Sequence, residues 1–377
     1  MPHCNKQMIS FFPTTKCNLC CIYCYNIKER SLLKEKTLPL EIAKAGIDYF
    51  FENNNSRHIR FYGPGEPSQE FELMCQITDY ACTKAGSAVS VEIQTNGIFN
   101  EEVREWMLDN MNIIWMSFDG PPDIQNFNRP INKQFALDGR KSAEVLEDNV
   151  KWLLANRENR NLMVGARVTM TEKNINRQIE MVDYFYNLGI RHIWTNPLFP
   201  AVYKSPVCGD EKKKKDCHFD MNTYVKNYIE AFRFAKSKGL FFGSFLTCNF
   251  DGEAKTHCRA CTPVPHLTPD GYISACDMVV FGEEAHHMDC FIYGKWDNET
   301  KTFIFDDKKI QALRNRNVDN LEHCKKCEAK LHCGGYCLGE VVNETGSLSG
   351  QKPINCKAIR TLLKEIGSCE PYEYLHP

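Results

Sequence analysis

The sequence predicts an α/β fold, in which a partial (β/α)6 barrel is followed by a loop-rich, cysteine-rich region. Short β-rich runs alternate six times with longer runs of helical period, and such a series predicts a parallel sheet with helices packed outside it. The alternation stops near residue 240, and nine cysteines follow within residues 258–356. We therefore predict a barrel domain over residues 1–240 and a second domain over 241–377, stabilised by metal centres.

The predicted strands are short apolar runs bounded by polar or glycine-rich residues. They cover residues 8–12, 59–62, 89–94, 113–118, 164–170 and 190–195. The predicted helices lie between and after them, where apolar residues recur every three to four positions. They cover residues 40–53, 70–84, 101–109, 143–156, 174–187 and 222–237. In the fourth helix, Leu146, Val150 and Leu153 fall on one face, as an amphipathic helix requires.

Polar and glycine-rich motifs follow the first four predicted strands. They are KCNLCCIYC (16–24), GPGEP (63–67), TNG (95–97) and FDGP (118–121). Ligand-binding loops in parallel α/β barrels follow the carboxyl ends of the strands. The four motifs therefore predict a single pocket at one end of the barrel.

The first motif places Cys17, Cys21 and Cys24 at the spacing C-x3-C-x2-C. Iron–sulfur clusters normally take four cysteine thiolates, so three can hold a [4Fe-4S] cluster with one iron open to a small molecule. Cys20 offers an alternative C-x2-C-x3-C register. A structural zinc site is the other interpretation, but it needs four ligands, and the next cysteine along the chain is Cys75. The spacing thus favours iron–sulfur.

Composition excludes several classes of protein. The 377-residue chain has a net charge of −2, so no basic field attracts nucleic acid or an anionic membrane. No apolar run approaches the roughly 20 residues that span a bilayer, and the N-terminus does not read as a secretory signal. We therefore predict a cytoplasmic protein without nucleic-acid or membrane partners. Its 20 cysteines are then better explained as cluster ligands than as disulfides, because cytosolic thiols are kept reduced.

Over residues 7–240, these motifs resemble those of the radical S-adenosylmethionine (SAM) enzymes, whose fold is a partial TIM-like barrel. The three cysteines resemble that family's cluster motif, and the Gly-Glu-Pro segment resembles its site for the SAM ammonium group. The resemblance makes Glu66 the ammonium acceptor, with Gly65 allowing close backbone approach. Ser117 and Arg129 resemble the pair that meets the SAM carboxylate.

Further SAM contacts follow from the same resemblance. Tyr23 is predicted near the adenine, with packing as its alternative role. Thr95, Asn96 and Asp119 are predicted as ribose contacts or supporting residues, although Asn96 also suits a simple Asn-Gly turn.

The second half of the chain is similar to the SPASM extension of peptide-modifying radical SAM enzymes. That pattern begins at Cys261, includes Gly271 and continues through C-x2-C-x5-C-x3-C to a final cysteine. By resemblance, one auxiliary [4Fe-4S] cluster takes Cys258, Cys261, Cys276 and Cys337, and the other takes Cys324, Cys327, Cys333 and Cys356. With the SAM-binding cluster this gives three clusters. Two Cys4 zinc sites are the alternative. Asp277 matches the position of a proposed catalytic base, and its alternative role is binding backbone amides.

The resemblance implies an oxidoreductase that forms a 5′-deoxyadenosyl radical and oxidises a ribosomally made peptide, through a thioether, a carbon–carbon crosslink or a related change. The alternative is an anaerobic sulfatase maturase that forms formylglycine from Cys or Ser. A non-catalytic iron–sulfur electron carrier is a third possibility, but it needs no open cluster or pocket. Sulfatase-maturing enzymes have Gln and Tyr where this chain has Gly63 and Asn26. This difference favours the peptide maturase.

Two further partners are expected. The resemblance implies an external one-electron reductant of the flavodoxin or ferredoxin type. The cluster loop begins at Cys17, with no room before it for the leader-binding domain of many peptide maturases. We therefore expect either a separate leader-binding partner or direct recognition of the core peptide.

Overall fold

A computed structural model describes residues 6–24, 35–135, 139–198, 219–283, 285–370 and 376. Its described strands form one eleven-stranded sheet in the order β11-β10-β9-β8-β1-β2-β3-β4-β5-β6-β7. The parallel part runs from β1 to β7. Its strands are β1 (Ile9–Phe11), β2 (His58–Phe61), β3 (Ser90–Thr95), β4 (Ile113–Ser117), β5 (Met163–Met170), β6 (His192–Pro197) and β7 (Phe241–Ser244). The predicted α/β fold and all six predicted strands are confirmed.

The sheet continues on the other side of β1 into the cysteine-rich half of the chain. Strand β8 (His266–Leu267) pairs with β1 in parallel. The antiparallel strands β9 (Tyr272–Ser274), β10 (Ile292–Asp297) and β11 (Thr302–Phe305) follow it. Strands β7 and β8 both come after residue 240, and they flank the block of strands β1 to β6 on its two sides. The sheet therefore continues across the proposed domain boundary in both directions. The boundary itself stays a prediction.

The helices of the barrel lie where the apolar period predicts them. They span Leu40–Asn53, Phe71–Ala85, Glu101–Asn110, Ser142–Asn156, Gln178–Leu188 and Met221–Ser237. A short helix, Pro122–Asn128, follows β4. The later part of the chain adds Asp307–Arg314, Lys330–Cys333, Leu338–Thr345 and Pro353–Ile366. No helix in the described part of the chain is both long and apolar enough to cross a membrane.

The two faces of the parallel sheet differ in chemistry. Side chains alternate along a strand, so on β2 Ile59 and Phe61 join the main apolar cluster under the helices. Arg60, between them, is fully buried and donates from Nε to Ser10 Oγ at 2.9 Å. The inner face also carries the buried indole of Trp115, and a Cβ on Gly165 would lie 2.6 Å from that ring. A polar, crowded interior thus lies below the carboxyl ends of the strands.

Candidate active site

A cavity of about 220 Å³ opens among the loops that follow the parallel strands. On one side it is lined by Cys17, Cys21 and Cys24, and its lining also includes Cys258, Cys276 and Cys337. Residues of the first three strand-end motifs therefore line one cavity, as predicted, whereas the fourth motif (118–121) is represented among the described lining residues only by the preceding Ser117. The cavity also borders cysteines from the distant end of the chain.

The first cysteine loop is anchored by backbone hydrogen bonds. Cys20 N donates to Pro130 O at 2.8 Å, and Ile22 N donates to Asn128 O at 2.9 Å. Cys20 is not among the described residues that line the cavity, whereas the three thiols of the C-x3-C-x2-C register are. The lining therefore favours that register over the alternative one.

The Gly-Glu-Pro segment packs directly on this loop. Glu66 N donates to Lys16 O at 2.7 Å, and a Cβ on Gly65 would lie 2.2 Å from the same carbonyl oxygen. Such a distance is well inside normal contact, so only glycine fits at position 65 without moving the backbone. The structure thus gives Gly65 a role in holding the cysteine loop, whatever it does towards a ligand.

Glu66 is a buried carboxylate that lines the cavity. It accepts hydrogen bonds from Thr95 Oγ1 at 2.6 Å, Asn96 N at 2.7 Å and Ser68 N at 3.1 Å. Burial raises the pKa of Glu66, and these donors offset only part of the shift. Thr95 and Asn96 therefore orient Glu66. The Asn96 side chain also donates to Cys17 Sγ at 3.9 Å, which links the third motif to the first.

A buried group around Asp119 fixes the other end of the cavity. Asp119 accepts from Tyr23 Oη at 2.5 Å, from Arg129 Nη2 at 3.1 Å and from Thr169 N at 2.9 Å. Tyr23, Ser117 and Arg129 line the cavity, whereas Asp119 is fully buried and is not among its described lining residues. Asp119 therefore lies behind the cavity wall and fixes the positions of Tyr23 and Arg129. A direct contact of Asp119 with the ribose stays a prediction.

Asp277 lies at the cavity beside Cys276 and is held by an arginine and a histidine. Arg60 Nη2 donates to it, and His266 Nδ1 lies 3.1 Å from Asp277 Oδ1. Burial alone would raise the pKa of Asp277, but Arg60, then His266 and Arg259, outweigh it and hold the pKa well below its ordinary value. The sequence analysis missed Arg60 and His266. The available signal was an arginine in the middle of the apolar strand HIRF.

The cysteines of the first predicted auxiliary set interact with one another. Cys337 interacts electrostatically with Cys258 and Cys276, and Cys261 interacts with Cys258. The four predicted ligands therefore form one group, next to the main cavity.

The second predicted set lines a separate cavity of about 30 Å³. Cys333 interacts with Cys324, Cys327 and Cys356. Burial raises the pKa of Cys333 to about 12 and that of Cys324 to about 11. Thiols of this kind stay protonated near neutral pH unless a metal ion binds the sulfur and displaces the proton to solvent.

Within the described residues, no group of three or more His, Cys, Asp or Glu side chains stands in position to hold a single metal ion. The cluster sites are therefore inferred from the cysteine spacing, the pairing within each set and the shared cavities. The thiolate donor sets fit iron–sulfur ligation, which uses cysteine sulfur.

No protein-family model matches the chain. An uncharacterized protein of Methanocaldococcus jannaschii is 31% identical over 192 residues, which cover 50% of this chain and 61% of that protein. A cysteine-type anaerobic sulfatase-maturating enzyme of Clostridium perfringens is 22% identical over 353 residues, 85% of each chain.

Solved structures extend the likeness to nearly the whole chain. Native anSMEcpe with bound AdoMet (SAM) superposes with a TM-score of 0.72 at 16% identity, over 95% of this chain and 96% of that one. This chain has the fold of the SPASM-type radical SAM enzymes. SuiB of Streptococcus suis, bound to its precursor peptide SuiA, shares this fold with a TM-score of 0.60 at 15% identity, over 93% of this chain and 76% of SuiB. The SPASM-type radical SAM fold thus confirms the expected partial barrel with a C-terminal extension.

Proposed function

We propose that this protein is a radical SAM enzyme that oxidatively modifies a peptide or protein. The observation that carries the proposal is the shared cavity. Three thiols of an open-site motif, a buried Glu66, and Asp277 beside a second cysteine set all line one space at the carboxyl ends of the strands. An electron carrier needs no such cavity, and a structural metal site leaves no room for a ligand.

The chain has residues suited to holding SAM. Cys17, Cys21 and Cys24 would hold a [4Fe-4S] cluster, which would supply the electron that cleaves the SAM sulfonium into methionine and a 5′-deoxyadenosyl radical. The chain supplies binding and orientation. Glu66 is the acceptor for the SAM ammonium group, because its carboxylate is fixed and lines the cavity. Ser117 and Arg129 are the donors for the SAM carboxylate, and Asp119 sets the direction of the Arg129 guanidinium.

Asp277 is the candidate proton acceptor for the oxidation. The ion pair with Arg60 and the close contact with His266 keep the carboxylate ionised, so it has a free lone pair for a proton at the cavity surface. The same contacts make it a weak base. They also hold it rigidly beside Cys276, a ligand of the proposed first auxiliary cluster.

Two substrate classes remain within the proposal. A ribosomally made peptide is our first candidate. Gly63 lines the cavity where sulfatase-maturing enzymes have Gln, so the surface facing a substrate differs. The second difference, at Tyr25 and Asn26, lies outside the described residues. The likeness in fold to SuiB, whose structure contains its precursor peptide, supports a ribosomally made peptide as the substrate.

Formylglycine formation on a sulfatase is the second candidate. The Clostridium perfringens relative covers 85% of this chain, and the TM-score with anSMEcpe, 0.72, is higher than the 0.60 with SuiB. Both candidates require a polypeptide to reach the cavity. Both also fit the proposed complement of three [4Fe-4S] clusters, an external one-electron reductant, and either direct substrate recognition or a separate leader-binding partner.

Anaerobic reconstitution with iron and sulfide, followed by reduction in the presence of SAM, tests the proposal. We expect 5′-deoxyadenosine and methionine from the wild-type protein and from Cys20→Ala, but none from Cys17→Ala. Absence of 5′-deoxyadenosine from the fully iron-loaded wild-type protein would contradict the proposal. Incubation with a sulfatase-derived peptide and with short peptides encoded nearby then separates the two substrate classes by mass change.

A further inference from the structure

Arg167 is a buried cation on the cavity wall that the proposed SAM contacts leave unused. It lies in β5, is 8% exposed and lines the cavity. Its guanidinium donates to Gln94 Oε1 and stacks over the Tyr62 ring with its carbon 5.7 Å from the ring centroid. Both contacts are neutral.

The other two guanidiniums of the cavity wall have acidic neighbours. Arg129 forms an ion pair with Asp119, and Arg259 interacts electrostatically with Asp277. Within the described part of the chain, no carboxylate forms an ion pair with Arg167. Burying a charge without a counter-charge is unfavourable. The arrangement therefore suits an anion that arrives from outside the chain.

The surroundings add positive charge on the same side of the cavity. Arg60 lies over the same Tyr62 ring, 4.8 Å from its centroid. Asp277 interacts electrostatically with Arg60, His266 and Arg259. Its single negative charge is therefore already compensated by these neighbours. Glu92 interacts with Arg60 and is paired with His58. An additional carboxylate would thus meet an attractive field at Arg167.

We propose that Arg167 binds the carboxylate of an acidic side chain of the substrate, close to the residue that is modified. The proposal takes the polypeptide nature of the substrate from the function proposed above. Arginine suits this role because its planar guanidinium can donate two parallel hydrogen bonds to one carboxylate.

Arg167 and Arg129, the proposed donor to the SAM carboxylate, have different contacts. Arg129 contacts Asp119 and the Tyr23 ring, in the first and fourth strand-end loops. Arg167 instead reaches Gln94 on β3 and Tyr62 after β2, next to Gly63. Both guanidiniums nevertheless border β5, since Arg129 Nη2 also donates to Thr169 Oγ1 at 3.5 Å. Ser117 pairs in register with Arg167, so the SAM carboxylate is still the alternative ligand that an experiment must separate.

The test is equilibrium dialysis of the reconstituted enzyme, with SAM bound, against two pools of acetylated and amidated peptides. The pools differ only in a fixed Glu or a fixed Gln at each position in turn, and mass spectrometry reads the bound fraction. We expect the Glu pool to be enriched about tenfold or more at one position, since a hydrogen bond to a charged group typically has this effect. Arg167→Gln should abolish the enrichment, and Arg167→Lys should keep part of it.

Arg160→Gln is the matched control, because Arg160 is exposed and pairs with Asp109 away from the cavity. The affinity for labelled SAM, measured by the same dialysis, should be unchanged in both Arg167 variants. An equal bound fraction of both pools in the wild type, or a preference that survives in Arg167→Gln, overturns the proposal. So does a loss of SAM affinity with intact peptide preference, which would assign Arg167 to SAM.

Iron content and circular dichroism report whether each variant folds, and Arg167→Lys keeps the test valid if Arg167→Gln does not. Because binding is measured without turnover, the result does not depend on radical formation. Failure of the proposed function shows separately, as the absence of 5′-deoxyadenosine.

Discussion

The barrel and the cysteine-rich region use different means to hold their residues in place. In the barrel, helices and strands of regular period bury large apolar side chains such as Phe50, Leu146 and Phe185. In residues 258–356, short turns and small helices surround two groups of cysteines whose buried thiols have raised pKa values. Both regions contribute to one apolar cluster, which joins Phe50 and Phe185 to Ile273 and Phe291. We expect the second region to depend, in addition, on what its cysteines bind.

The largest expected effect comes from the first cysteine motif. Cys17→Ala removes a thiolate of the proposed open-site cluster, so SAM cleavage should fall below detection. The barrel should still fold, because Cys17 is only partly buried and packs against the apolar core from its edge. The measurements are 5′-deoxyadenosine yield and circular dichroism.

Cys20→Ala is the matched control for this variant, since it removes a neighbouring thiol that is not among the described residues of the cavity wall. Cys17 and Cys24 belong to both registers, so complete loss in Cys20→Ala together with full activity in Cys21→Ala would show that the other register is used. Full activity in Cys17→Ala would contradict the open-site cluster in either register.

The next effect tests the second region. Cys333→Ser removes a ligand of the proposed second auxiliary cluster, and about a third of the iron should be lost, since each of three cubanes has the same number of irons. Limited proteolysis should then cut first within residues 258–356, because bound metal stabilises that region and not the barrel.

Cys75→Ser, on the barrel helix Phe71–Ala85, is the corresponding control and should keep all the iron. Proteolytic cleavage of both regions at the same rate in Cys333→Ser would contradict the expectation that bound metal stabilises only the second region.

A smaller effect is expected at Gly65. The added methyl group of Gly65→Ala would lie 2.2 Å from Lys16 O, so the cysteine loop must shift. We expect SAM affinity to fall roughly tenfold, in line with the loss of about 1.4 kcal/mol of binding free energy. Global stability should change less than SAM binding, since both segments are loops.

Gly86→Ala provides the comparison. Gly86 has φ +65° and open space around its Cβ position, so its substitution should reduce stability by about 1 kcal/mol and leave SAM affinity alone. Equal SAM affinities in the two variants would show that the contact between Gly65 and the cysteine loop does not matter for binding.

The smallest expected effect concerns Arg316, a buried cation between the two auxiliary cysteine sets. It donates to the carbonyl oxygens of Gly334 at 3.4 Å and Gly335 at 2.6 Å, and it acts electrostatically on Cys261 and Cys324. Removing its charge in Arg316→Gln should lower the reduction potentials of the auxiliary clusters by tens of millivolts, because positive charge favours the reduced state. Redox titration followed by EPR measures the shift.

Arg316→Lys retains the charge and is expected to keep most of the potential. An unchanged reduction potential in Arg316→Gln would mean that the charge of Arg316 has no electrostatic effect on the auxiliary clusters.

The comparison also explains what could be predicted from the sequence. The barrel strands and helices were predicted to within a few residues, because each has enough residues to show a period. The strands β7 to β11 were missed. The runs His266–Leu267 and Tyr272–Ser274 are too short to show a period, and Ile292–Asp297 is interrupted by Gly294 and Lys295. In the cysteine-rich region, only the cysteine spacing was informative. The two ligand sets that the resemblance assigned stay a prediction, which the electrostatic interactions within each set support.

In the candidate active site, too, residues in local sequence motifs could be predicted and isolated residues could not. Glu66 and the cysteines belong to motifs, so their positions could be read directly. Arg60 and Arg167 are single charged residues inside apolar strand runs, and their significance depends on partners brought close only by folding. Arg60 meets Asp277 across a sequence separation of 217 residues. No local pattern contains that information.

The most direct test of the central proposal is the EPR spectrum of the reconstituted, reduced protein with and without SAM. If the cluster on Cys17, Cys21 and Cys24 has one iron open to the cavity, SAM should change the spectrum in the wild type but not in Cys17→Ala. A protein that holds zinc, or a [4Fe-4S] spectrum that SAM leaves unchanged in the wild type, would contradict the proposed function.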